Sequence, residues 1–131
     1  MAAERILIVD DEEEMLKLLN IELKTEGYRV WMARSGREAI RRTEVVSPDF
    51  ILLDVMLPDM TGGDVVKALK EKPATSRIPI IFLTALFSKK EEKEQAKLNV
   101  GDQQYLTIAK PVTAEDLQAQ IKTALRKTLT D

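Results

Sequence analysis

Short apolar runs alternate with amphipathic stretches along the whole chain, and the two patterns predict strands and helices in turn. "RILIV" (5–9) reads as a buried strand. From Glu12 to about Glu26 the apolar residues Met15, Leu16, Leu19 and Leu23 fall near helical spacing, and Gly27 closes that helix as a C-terminal cap. "YRVWMA" (28–33) is a second strand, and Ser35 is placed to cap a second helix that carries Ala39, Ile40 and Val46 and ends at "SPD". Phe50 to Leu53 form a continuous apolar run, the mark of a strand buried on both faces, and lead straight into Asp54. A loop with Pro58 and "TGG" then opens a helix carrying Val65, Val66 and Leu69.

The alternation continues to the end. "IPIIFLT" (78–84) is the fourth strand, the highly charged "SKKEEKEQAKL" a helix with a weak apolar face, and "QYLTI" (104–108) the fifth strand. The last helix starts at Thr113, with Asp116 three residues on as in a capping box, and Leu117, Ile121, Ala124, Leu125 and Thr128 mark its inner stripe. Five strands alternating with five helices predict an α/β fold, an open, doubly wound parallel sheet covered on both faces. Its 131 residues fit one domain, 1–131, with no Pro/Gly/Ser linker dividing it.

Composition narrows the chemistry. A net charge of -2 gives no electrostatic case for nucleic acid or an anionic membrane. The pairs Arg41-Arg42 and Lys89-Lys90 read as solvated helix faces. Without cysteine there are no disulfides, thiol nucleophiles or thiolate metal sites, and without histidine the commonest general base and zinc ligand are gone too. The acidic N-terminus, with an apolar run only four residues long, is neither a secretory signal nor a membrane span, which predicts a cytoplasmic protein.

On this frame Asp10 and Asp11 end the first strand, Asp54 the third and Thr84 the fourth, and Lys110 lies just past the fifth. All lie at the carboxyl edge of one sheet, where open α/β sheets bind ligands. Three carboxylates brought together raise one another's pKa or recruit a cation. Oxygen-only ligands favour a hard ion, so Mg2+ is expected, with Mn2+ as the substitute. A metal beside a free carboxylate, faced by a hydroxyl and an ammonium, suits phosphoryl transfer onto Asp54. Each residue alone has a blander reading. "DDEEE" complements a helix dipole, Asp54 caps a loop, Thr84 ends a strand and Lys110 faces solvent. Their convergence on one edge is what favours function.

"ILIVDDEE", "PDFILLDVMLPDMTG", "PIIFLTA" and "AKPV" resemble, in order and near-family spacing, the receiver domain of bacterial response regulators, across essentially the whole chain. The resemblance implies a flavodoxin-like strand order of 2-1-3-4-5, an order that does not follow from the pattern itself. It implies that Asp54 is both the phosphoacceptor and a metal ligand, that Asp11 binds Mg2+ directly and Asp10 through water, and that the Met56 backbone carbonyl completes the protein's ligands. Thr84 and Lys110 would contact the phosphoryl group, and the small Ala85 would leave it room. The phosphoryl donor would be a sensor histidine kinase or a histidine phosphotransfer protein, and the modified surface of helix four, strand five and helix five would signal to a downstream effector. Such a domain assists its own phosphorylation and dephosphorylation but is not a turnover enzyme. A phosphorylation-dependent dimer is compatible with this reading.

Two positions depart from the family pattern. Tyr105 precedes Lys110 by five residues instead of three, so either Tyr105 or Thr107 takes the usual aromatic position. Thr61 stands where Asp is common, a change expected to affect only loop capping. A dehalogenase-like phosphatase would need a second Asp at position 56, which is Met, and a flavin carrier would need a hydroxyl-rich phosphate loop in place of "DDEEE". The remaining alternative is a receiver-fold interaction module that acts without phosphorylation.

Overall fold

The computed structural model describes residues 4–84, 97–101, 103–109 and Ala119. Its elements in chain order are β1 (Arg5–Val9), α1 (Glu13–Thr25), β2 (Arg29–Ala33), α2 (Gly36–Val46), β3 (Phe50–Asp54), α3 (Gly62–Lys70), β4 (Ile80–Thr84), β5 (Lys97–Val100) and β6 (Gln103–Ala109). The strands form one sheet in the order β2-β1-β3-β4-β6-β5. β1 pairs in parallel with both β2 and β3, β3 with β4, and β4 with β6. The parallel α/β architecture and the 2-1-3-4 order are therefore as expected.

Among the described residues the sheet has six strands, not five, and the added one is antiparallel. Lys97 and Leu98, expected to finish a charged helix, belong instead to β5, which pairs with β6 from Lys97↔Leu106 to Val100↔Gln103. That register leaves a two-residue turn, and Gly101 begins it at φ +60°. A left-handed first residue is what a primed hairpin turn requires, and glycine takes it without steric cost. Three helices lie among the described residues; the rest of the charged segment (88–96) and the last helix, apart from Ala119, lie outside them.

Strand alternation explains why the strands read as unbroken apolar runs. Ile6, Ile8, Phe50, Leu52, Ile81 and Leu83 face the Leu16, Leu19 and Leu23 stripe of α1. Leu7, Val9, Ile51, Leu53, Ile80 and Phe82 face the other way, onto Ala39 of α2 and Val65, Val66 and Leu69 of α3. Both faces are covered, so every residue of β3 is buried. Burying each such Leu or Ile contributes roughly 1.5–3 kcal/mol.

The helix ends follow the sequence signals. Gly27 at φ +95° ends α1 in a Schellman motif, with Gly27 N–H donating to Lys24 O (3.0 Å) and Tyr28 N–H to Leu23 O (3.1 Å). Ser35 caps α2 by accepting from Glu38 N–H at 3.1 Å. Thr61 and Asp64 form a capping box at the start of α3, so a threonine at this position serves as the cap.

Candidate functional site

The chain leaves β1 for β2 on one side of the sheet and returns to β3 on the other, so the ends of β1 and β3 flank the switch point of the topology. Asp10 follows β1 there and is completely buried. Its N–H donates to Ala33 O at 3.1 Å, and its Oδ1 accepts the N–H of Glu12 at 3.0 Å. Asp54 is the last residue of β3 and only 7% exposed. Its Oδ1 accepts the Met56 N–H at 3.2 Å.

Carboxylate oxygens of Asp10, Glu12 and Asp54 all lie within 4.8 Å of one another. At that separation each ionised pair repels by about 3 kcal/mol at a surface-like effective dielectric of roughly 20. A cation among them relieves all the repulsions at once. The donor set fits a hard divalent ion, because it is made only of oxygen and two of its three carboxylates are buried.

Glu12, which the sequence pattern assigns with Glu13 and Glu14 to the helix dipole, is the third member of the cluster. It sits at the N-cap of α1 without making a side-chain cap bond. The turn closed by Asp10 folds it back toward β3. Glu13 does other work, pairing with Arg34, whose guanidinium holds the Glu13 carboxyl below the usual range. Asp11 is exposed at the same edge and is not among the three clustered carboxylates.

The loop after β3 is shaped around the end of that strand. Val55 N–H donates to Leu83 O at 3.1 Å, Met56 bridges to Thr61, and Gly62 N–H returns to Val55 O at 2.7 Å. A Cβ on Gly62 would stand 2.6 Å from the Asp54 carbonyl oxygen and 2.9 Å from the Phe82 ring, so any side chain there forces the strand end or the helix start to shift. Met56 itself is 58% exposed, beside the carboxylate its N–H contacts.

Thr84 ends β4 one residue beyond the Asp54↔Leu83 pair, which puts it on the same edge, and its backbone pairs with Ala109. Ala85, Leu86 and Lys110 lie outside the described residues. Tyr105 and Thr107 are both buried in β6. The Tyr105 ring packs edge-on against Phe82, with centroids 5.5 Å apart at 86°, and its hydroxyl donates to Gln103 Oε1 at 2.9 Å. Thr107 sits opposite Phe82 in the ladder.

Comparison with known proteins agrees with this geometry. The family model of the response regulator receiver domain matches residues 6–122. The chain is 40% identical over 124 residues to the alkaline phosphatase synthesis transcriptional regulatory protein PhoP of Bacillus subtilis, covering 94% of this chain and 49% of that protein. It is 37% identical over 124 residues to the phosphate regulon transcriptional regulatory protein PhoB of Rhizobium meliloti, covering 94% of this chain and 52% of the relative. It thus spans about half the length of these curated relatives. The fold matches chemotaxis protein CheY4 of Vibrio cholerae at a TM-score of 0.79 and 30% identity, over 94% of this chain and 99% of that one. Fold, carboxylate edge and sequence lead to one conclusion: the chain belongs to the response regulator receiver domain family.

Proposed function

We propose that residues 1–131 act as a single phosphoacceptor receiver, with Asp54 taking the phosphoryl group. The observation that carries this reading is the placement of Asp54, fixed at the end of a wholly buried strand within 4.8 Å of two further carboxylates. A carboxylate oxygen of Asp54 attacks phosphorus in line as the bond from phosphorus to the donor imidazole nitrogen breaks, giving an aspartyl phosphate. The donor is external, a sensor histidine kinase or a histidine phosphotransfer protein, since this chain has no histidine.

Asp10, Asp11, Glu12, Asp54 and the Met56 carbonyl are the residues that would hold Mg2+, or Mn2+ in its place. The ion would supply charge neutralisation at the transferring oxygens. Burial of the β3 run keeps the Asp54 backbone rigid, and the Met56 N–H orients its carboxylate. Thr84 and Lys110 are assigned to the phosphoryl oxygens after transfer. Drawn toward that group, they shift the population toward a second arrangement of the surface around the fifth parallel strand, which a downstream effector reads. A switch from 1:99 to 99:1 takes about 5.5 kcal/mol of differential stabilisation.

The domain performs this chemistry on itself and is not a turnover enzyme in this reading. Among the described residues no helix is long and apolar enough to cross a membrane, and a cytoplasmic place of action goes with the proposed kinase partner. The relatives are named transcriptional regulatory proteins, which favours transcription as the output of the system this receiver serves, without DNA contact by the receiver itself. One observation favours a second reading, an interaction module that works without phosphorylation: the β5–β6 hairpin at the signalling edge.

Intact-mass measurement after incubation with acetyl phosphate and Mg2+, on wild type and Asp54→Ala, separates the two. Gain of one phosphoryl group by the wild type alone supports the acceptor reading. No gain while Mg2+ still binds favours the module.

A further inference from the structure

The tip of the loop between β3 and α3 is tied to a helix that takes no part in the chemistry above. Asp59 places both carboxylate oxygens on the start of α2. Oδ1 accepts from Gly36 N–H at 2.8 Å and Oδ2 from Arg37 N–H at 3.0 Å, across 23 and 22 residues of sequence. These are charge-assisted bonds to the first free N–H groups of a helix, where a negative charge is favoured. They hold the Asp59 carboxyl below its ordinary range. Met60 seats beside them: a Cβ on Gly36 would fall 2.3 Å from Met60 Cγ, so the tip and the helix start are in close contact.

The same tip is closed onto the acceptor. Leu57 N–H donates to Met60 O at 3.2 Å, the Met56–Thr61 bridge lies directly behind, and Met56 N–H reaches Asp54 Oδ1. Any displacement of residues 57–60 therefore acts through Met56 on the acceptor carboxylate and on the Met56 carbonyl.

On the reading that Asp54 is the acceptor, the geometry points to Asp59 as a positioning residue for phosphorylation: by anchoring the loop tip to α2 it sets Met56 against Asp54. It touches neither the reacting carboxylate nor a metal position itself. Ser35 provides the internal control, because it caps the same helix through Glu38 N–H and makes no described contact with the loop.

The test compares Asp59→Ala, Asp59→Asn and Ser35→Ala with wild type. It measures the rate of phosphorylation by acetyl phosphate and, separately, Mg2+ affinity by calorimetry on the unphosphorylated protein, with thermal unfolding to register stability. Asp59→Ala is expected to lower both rate and Mg2+ affinity by on the order of tenfold, as removal of an outer support does at metal sites. Asp59→Asn, which keeps one acceptor oxygen, falls between. Ser35→Ala lowers the melting temperature and leaves rate and affinity unchanged. Wild-type rate and affinity in Asp59→Ala would overturn the assignment, and so would equal losses in Ser35→Ala, which would reduce the effect to helix stability. Should the wild type bind Mg2+ but accept no phosphoryl group, the acceptor reading fails alone, and the affinity comparison still decides the role of Asp59.

Discussion

Two adjacent glycines at the start of α3 make opposite predictions. Replacing Gly62 with alanine puts a methyl group 2.6 Å from the Asp54 carbonyl oxygen, 2.9 Å from Phe82 Cε1 and 3.2 Å from Val55 Cα. Two of these obstacles are backbone atoms of Asp54 at the end of β3 and of Val55, so relief must come from moving the strand end or the helix start. Overpacking of this kind costs about 1–3 kcal/mol. The gain in helix propensity from glycine to alanine offsets at most about 1 kcal/mol. The net loss of roughly 0–2 kcal/mol lowers the melting temperature by up to about 8 °C for a domain of this size. Because the displaced atom belongs to Asp54, phosphorylation by acetyl phosphate falls further than the loss of folded protein explains. Gly63→Ala meets nothing closer than Thr61 Oγ1 at 3.6 Å, an ordinary contact. It gains roughly 0.4–1 kcal/mol by restricting the unfolded chain and leaves the rate alone. Calorimetric melting and a phosphorylation time course on both variants make the comparison. Equal melting temperatures and rates for the two variants would refute the claim that only position 62 is pressed against Asp54.

Other outcomes follow from particular contacts. Thr75 is buried and its hydroxyl donates to Leu69 O at 2.6 Å, so Thr75→Val should cost about 1–2 kcal/mol, read as a lower urea midpoint at constant slope. Both tyrosines are pushed above their ordinary pKa of 10.0, chiefly by burial in each case, with the carboxylates Glu4 and Glu26 adding to the effect at Tyr28. A phenol whose folded pKa lies above its unfolded value contributes stability that is fully present below about pH 10 and is lost as pH rises through the folded value. Ultraviolet titration of the native protein should therefore show phenolate appearing later than in urea, with stability declining over the same range; coincident curves would contradict the burial of Tyr105. The resemblance to receivers implies that Met56 and Leu86, two residues beyond Asp54 and Thr84 in sequence, flank the approach of water to an aspartyl phosphate, and an apolar side chain offers that water no hydrogen-bond partner. The phosphorylated protein should lose phosphate slowly, and Leu86→Glu should hasten the loss several-fold; an unchanged half-life would sink that explanation.

Much of the fold was legible because each parallel strand is buried on both faces and each helix has one apolar stripe. Phe50 to Leu53 read as a strand buried on both faces, and its end placed Asp54 at the edge where the structure has it. The region around β5 was not legible in the same way. The charged pattern from Ser88 continues through Lys97 and Leu98, and helical periodicity hides the short strand; the one local signal was Gly101-Asp102 between two runs, a turn pair that needs a left-handed glycine. Glu12 escaped because its place depends on the turn closed by the Asp10 carboxylate, which spacing alone does not encode. Asp59 escaped for a related reason: nothing in "LPDM" indicates that its two partners are the N–H groups of a helix more than twenty residues earlier.

The most direct test of the central claim is chemical trapping of the acceptor. Protein phosphorylated with acetyl phosphate and Mg2+ is reduced with borohydride, which converts an acyl phosphate to the alcohol, and then digested and mapped by tandem mass spectrometry. The account predicts homoserine at position 54 and at no other carboxylate, with Asp10, Asp11, Glu12 and Asp59 intact. The reduced alcohol at one of those positions, homoserine from an aspartate or 5-hydroxynorvaline from Glu12, with Asp54 unchanged would contradict it.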